Sequence, residues 1–173
     1  MSRAQADDSH LPSAAVLVPA MVKVADYDRH FLARANGLVR TLVIFHEGDL
    51  ASEKSAIEIV SVLAKTGKIA GLAHEERAEP YPGANALASQ IRSEQSAILV
   101  LATGFGNDAP AIAHELDGID VLSVAVDADD VPKGIVFGVD ARAGKSTLVI
   151  RLAQARRQNV AFEASLLKLA RIE

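Results

Sequence analysis

Three polar clusters in this chain carry residue types that could do chemistry. They are His46-Glu47-Gly48-Asp49, Thr103-Gly104-Phe105-Gly106, and Asp127. The second sits in Gly104-Phe105-Gly106-Asn107-Asp108-Ala109, which fits G-x-G-x-x-A between a strand and a helix. Asp127 ends the next apolar run, where an acid that binds a ribose would lie. The chemistry so described is dinucleotide binding. Two neighbours oppose it: Pro110 opens a short helix at once, and Asp108 puts negative charge where a pyrophosphate would rest. A tight turn that needs glycine is the plainer reading.

Other motifs carry less. Gly138 to Ser146 resembles a phosphate-binding loop, but five residues separate its glycines and a β-like run follows instead of a helix. His46-Glu47, His74-Glu75 and His114-Glu115 are adjacent pairs, and adjacent side chains point apart, so none chelates well alone. There is no G-x-S-x-G elbow, and the chain has no cysteine, so thiol nucleophiles and disulfides are excluded. The sequence therefore predicts no catalytic set, no metal site and no cofactor, and the chain reads as a non-enzyme.

The clusters must be positioned by the elements that precede them. Ala97 to Ala102 is six apolar residues without alternation, the pattern of a strand buried on both faces of a parallel sheet. Leu38 to Phe45 and Ile119 to Val126 read as strands of the same kind, and Lys68 to Ala73 as a weaker one near an edge. Helices are predicted over Ser13–Ala35, Ser52–Lys65, up to Glu94, and over Pro110–Leu116. A polar loop is expected from Glu75 to Gly83. Gly134–Val139 and Thr147–Leu152 read as an antiparallel hairpin, followed by helices at Ala153–Gln158 and Phe162–Ile172. The fold class is α/β: a three-layer sandwich with a mostly parallel sheet and a C-terminal antiparallel hairpin. Residues 1–12 are expected to be a loose segment, and 13–173 one domain.

In such sheets ligands sit beyond the carboxyl ends of the strands. The candidate ligand-binding residues are therefore His46, Glu47, Gly48, Asp49, Thr103, Gly104, Phe105, Gly106 and Asp127.

Composition bounds the partners. Half of the 173 residues are hydrophobic and 4% aromatic, so the core is built from Ala, Val, Leu and Ile. A net charge of −4 and few stacking rings argue against nucleic acid. The charge is uneven: residues 1–132 hold 10 Lys/Arg against 19 Asp/Glu, and residues 133–173 hold 8 against 3. No run is long enough to span a membrane. Ala4-Gln5-Ala6 looks like the end of a signal-peptide cleavage site.

The C-terminal third carries a resemblance. Gly134-Ile135-Val136-Phe137, then Leu148 to Val160, then Phe162-Glu163-Ala164-Ser165-Leu166-Leu167-Lys168-Leu169-Ala170-Arg171-Ile172 resemble the ending of the YfiR/HmsC-like family of small periplasmic regulatory proteins. Ala14 to Leu17 with Met21 to Val24 is similar to the family's opening helix. Phe45 to Asp49 matches its Gly-Asp turn. The resemblance implies a periplasmic, non-enzymatic regulator with its signal peptide removed. Its partner would be the periplasmic part of an inner-membrane signalling protein, a diguanylate cyclase, with cyclic-di-GMP and biofilm formation as the output. A homodimer is a further partner expectation. The competing expectation is a small-molecule binding module, for a solute or a nucleotide, that uses the strand-end loops.

Overall fold

The computed structural model describes residues 10–173. Among these residues seven strands form one sheet, in the order β2-β1-β3-β4-β5-β6-β7. β1 (Val39–Phe45), β2 (His74–Pro80), β3 (Ile98–Leu101), β4 (Leu122–Ala125) and β5 (Phe137–Asp140) run parallel. β6 (Thr147–Ile150) pairs antiparallel with β5, and β7 (Ala170–Ile172) runs parallel to β6.

The centre is as dry as its sequence demands. Ala97 through Ala102 are each at most 1% exposed, and β3 is flanked by β1 and β4. With neighbours on both edges and helices on both faces, every β3 side chain is apolar because none meets water. The chain steps from β1 outward to β2 through α3 (Leu50–Ala64), then back past β1 to β3 through α4 (Ala84–Glu94). Right-handed crossovers in opposite directions put these helices on opposite faces. α1 (Ala14–Asp26) packs on α3, and α5 (Ala109–Glu115) packs on α4. α6 (Leu152–Arg157) joins the second layer, where Gln154 Nε2 donates to the Ala113 carbonyl at 3.2 Å. The sandwich has the three layers expected.

α6 is also stitched to the sheet through its C-cap, Gln158. Gln158 Nε2 donates to the Val121 carbonyl at 2.8 Å, and Ser123 Oγ on β4 accepts from the Val136 amide at 3.1 Å. Gln154, Gln158 and Ser123 are all at most 2% exposed, so each polar group there must be satisfied internally, and this network does so.

Three elements differ from expectation. The helix expected over Ser13–Ala35 is two, α1 and α2 (Phe31–Ala35). Between them Asp28 turns inward. Its Oδ1 accepts from the His30 amide at 3.1 Å and the Ala161 amide at 3.0 Å, and its Oδ2 pairs with Arg34. A local turn satisfied by a carboxylate competes successfully with helix continuation.

The edge strand is His74–Pro80, not Lys68–Ala73. Residues around Ala70-Gly71 make a tight turn closed by mutual Ile69 and Leu72 backbone bonds at 3.0 and 2.9 Å. β2 escaped notice because an edge strand can be highly charged, and this one reads HEERAEP. The final helix expected over Phe162–Ile172 is only the single turn α7 (Ala164–Leu167), followed by β7.

Of the segment expected to be loose, residues 1–9 lie outside the described residues, as does Ala4-Gln5-Ala6. Pro12 is buried, and the His10 carbonyl accepts from the Ala141 amide at 3.1 Å.

Candidate functional site

β1 and β3 are neighbours whose following helices, α3 and α5, lie on opposite faces, so a crevice opens at their carboxyl ends. This is the point where doubly wound sheets place ligands. The β1 exit is rigid. Asp49 caps α3, its Oδ1 accepting from the Ala51 amide at 3.0 Å and the Ser52 amide at 3.2 Å. Ser52 Oγ accepts from the His46 amide at 3.0 Å, and the Gly48 amide donates to Glu53 at 2.8 Å. Gly48 has φ +81°, which a glycine adopts without strain. Glu47 is exposed.

His46 then lies across the crevice. Its ring stacks on Phe105 with centroids 4.2 Å apart and planes 19° apart, and its Nε2 is 3.0 Å from Asp108 Oδ2. Tyr81, just past β2, stands edge-on to both rings, at 5.7 Å from His46 and 5.4 Å from Phe105. The Tyr81 amide donates to the Phe45 carbonyl at 2.8 Å, which fixes its place. Burial pushes the Tyr81 phenol up, and Asp108 adds to this, so the hydroxyl stays protonated. Gly104, at φ +95°, passes close by: a Cβ there would lie 3.6 Å from Asp49 Oδ2 and 3.9 Å from His46. The crevice is thus filled by the chain's own rings, each contact contributing about 0.5–1.5 kcal/mol beyond buried area.

Thr103 faces elsewhere. It lines a cavity of 290 Å³ between α1 and α3, floored by Leu11, Leu17, Ile59 and Val126 and rimmed by Lys54 and Glu58. Among the described residues its hydroxyl has no hydrogen-bond partner.

Gly106 and Asp127 form a third group. Lys133 Nζ lies over Gly106, 2.7 Å from where a Cβ would be, and pairs with Asp130 at 3.0 Å. Asp130 is 1% exposed, and burial raises its carboxyl despite the lysine. Its Oδ2 has no partner among the described residues. Asp127 caps its own turn, with Oδ1 2.9 Å from the Asp129 amide and 3.3 Å from His10 Nε2. His10, Asp127 and Asp129 bring three ligand atoms within 4.8 Å of one another, the grouping among the described residues that could hold a metal ion. Arg142 already grips both Asp129 oxygens, at 2.9 and 2.7 Å, and a cation would compete with it.

The structure therefore divides the nine sequence candidates. His46, Gly48, Asp49, Gly104 and Phe105 meet at the crevice with Glu47 at its rim, Thr103 opens on the α1–α3 cavity, and Gly106 and Asp127 belong to the acidic turn. Sequence reasoning missed Tyr81, Asp130 and Lys133 as members. An aromatic residue between two prolines, in a chain with so few aromatics, was the available signal for Tyr81. At the G-x-G turn, Phe105 is buried beneath His46, and Gly106 lies beneath Lys133.

Solved structures share the fold. A ligand-free, open substrate binding protein with adhesive properties, CD0873 from Clostridium difficile, matches at 9% identity and TM-score 0.66, over 95% of this chain and 60% of its own. A conserved domain protein from Vibrio cholerae matches at 14% and 0.61, over 94% and 60%. The ABC domain from Streptococcus pneumoniae in complex with L-Trp matches at 14% and 0.56, over 86% and 61%. The chain spans about three fifths of the length of each. No curated protein matches it. The model of the YfiR/HmsC-like family matches residues 74–171, from the charged edge strand to the closing strand, and this chain belongs to that family.

Proposed function

We propose that the chain is a non-enzymatic, periplasmic regulatory module that works by binding a protein. The observation that carries this is the crevice. The place where a doubly wound sheet would take a ligand is plugged by His46, Phe105 and Tyr81, which favours recognition through exposed surfaces. The YfiR/HmsC-like assignment supports a regulatory role, and no helix among the described residues is long and apolar enough to cross a membrane. By the family resemblance, the partner is the periplasmic part of a membrane-bound diguanylate cyclase, which the chain restrains. α1 offers an exposed face that includes Val16, 39% exposed. A photo-crosslinker at Val16 is expected to trap a membrane protein with a cyclase domain from the cell envelope. Recovery of no membrane protein would contradict the reading.

A second reading has one observation in its favour. The α1–α3 cavity at the carboxyl end of β3, with Thr103 in its wall and the Thr103 hydroxyl buried without a partner among the described residues, suits a small polar ligand. One structural neighbour holds L-Trp. A thermal-shift screen of amino acids, nucleotides and anions separates the two, because a ligand that binds only the folded chain raises its Tm. A strong stabiliser would favour this second reading, and Thr103→Val should then abolish the shift.

A further inference from the structure

The two edges of the sheet are protected very differently. β2 carries His74, Glu75, Glu76, Arg77 and Glu79 and ends in Pro80, and such charges discourage strand pairing. Those charges are also spent within the chain. Glu75 pairs with Arg40, Glu76 with His74, Glu79 with Arg77, and Arg77 also with Glu94.

β7 is guarded less heavily: it is three residues long with one charge, Arg171, and it leaves apolar side chains outside. Its neighbour Leu169 is 72% exposed and its Ile172 44% exposed. The Glu173 amide donates inward to the Ile150 carbonyl at 2.9 Å. Amides alternate along a strand, so those of Ala170 and Ile172 face away from β6. Among the described residues no strand pairs with that outer side.

The surroundings are basic. By the β6–β7 register, Lys145 and Lys168 flank the start of the pair and Arg151 its end. None of these three has an ion-pair partner among the described residues. Arg171 in the middle is held by Asp140 at 3.0 Å and Glu173 at 3.1 Å.

Resting on the protein-binding reading above, we infer that the outer edge of β7 takes an extended, acidic segment of the partner protein as an eighth strand. Outward amides supply the main-chain bonds, Leu169 and Ile172 supply apolar contacts, and the lysines select acidic side chains. A second copy of the chain fits less well. Two β7 edges would set basic residues against each other, and the carboxylates of β2 are already paired.

The test uses the full chain and two fluorescent peptides, one alternating valine with glutamate and one alternating valine with lysine. Expected is binding of the glutamate peptide at least roughly tenfold tighter than the lysine peptide. Ile172→Pro removes an outward amide together with the Ile172 apolar contact, leaves the inward amides of Arg171 and Glu173 in place, and should weaken the glutamate peptide by about tenfold or more, with Tm retained. Should that variant lose its fold, Lys145→Glu with Lys168→Glu serves instead and should reverse the peptide preference. Equal binding of both peptides, or no loss in either variant, overturns the inference. So does a dimer of the chain that Ile172→Pro dissolves, which would assign the edge to a second copy. If the Val16 crosslink persists while the peptides fail to bind, the regulatory reading stands and the strand-addition site falls.

Discussion

The two ends of the strands carry two polar clusters of opposite character. At the amino end, Asp28 and Arg34 are 0% and 2% exposed as side chains, and Arg34 also donates to Asp120 at 2.6 Å and the Asn159 carbonyl at 3.0 Å. At the carboxyl end, His46 and Asp108 are 31% and 34% exposed, and the histidine rests on rings more than on charge. The first cluster ties the α1–α2 turn, the loop before β4 and the end of α6 into one knot. The second only closes a crevice. Burial decides the difference: an ion pair out of water must be complete, whereas one in reach of water is replaceable.

The largest expected effect is at the amino end. Arg34→Ala strands the Asp28 carboxylate in the interior and should cost about 3–5 kcal/mol in a denaturant melt. A loss below about 1 kcal/mol would mean that the knot is not desolvated. Phe105→Ala comes next, at about 3 kcal/mol, because a fully buried ring leaves a cavity and His46 loses its platform. His46→Ala should cost only about 1 kcal/mol, since its partner is a third exposed and solvent screens the pair. A cost equal to that of Arg34→Ala would erase the contrast between the ends.

The smallest effect is a pH dependence at Asp130. Burial holds its folded-state carboxyl above the ordinary value of 3.8. A raised acid binds its proton more tightly folded than unfolded, so stability falls as pH rises from 3.8 through the raised value. Asp130→Asn should therefore raise Tm at neutral pH, with the gain vanishing below the ordinary range. A gain that is the same at every pH would show that the charge is not its source.

Much of this architecture was legible where one principle dominates. Ala97–Ala102 announced the sheet's centre, because a strand dry on both faces tolerates no polar residue. The hairpin at residues 137–150 was legible from its turn. β2 was not, because an edge strand obeys solvation, and HEERAEP resembles a loop by composition. β7 was hidden for another reason: Phe162 to Ile172 has helical spacing, but one turn of helix suffices to bury Leu166 and the rest pairs with β6. The candidate site was half legible. The strand-end rule found His46 and Phe105. It could not show that the two would stack on each other and close the crevice, since that depends on the relative height of two loops.

The most direct test of the central claim is cellular cyclic di-GMP, measured in the native host with the gene deleted and then restored. A chain that restrains a cyclase predicts a several-fold rise on deletion that is reversed by the wild-type gene. Unchanged cyclic di-GMP, with biofilm formation equally unmoved, would contradict it.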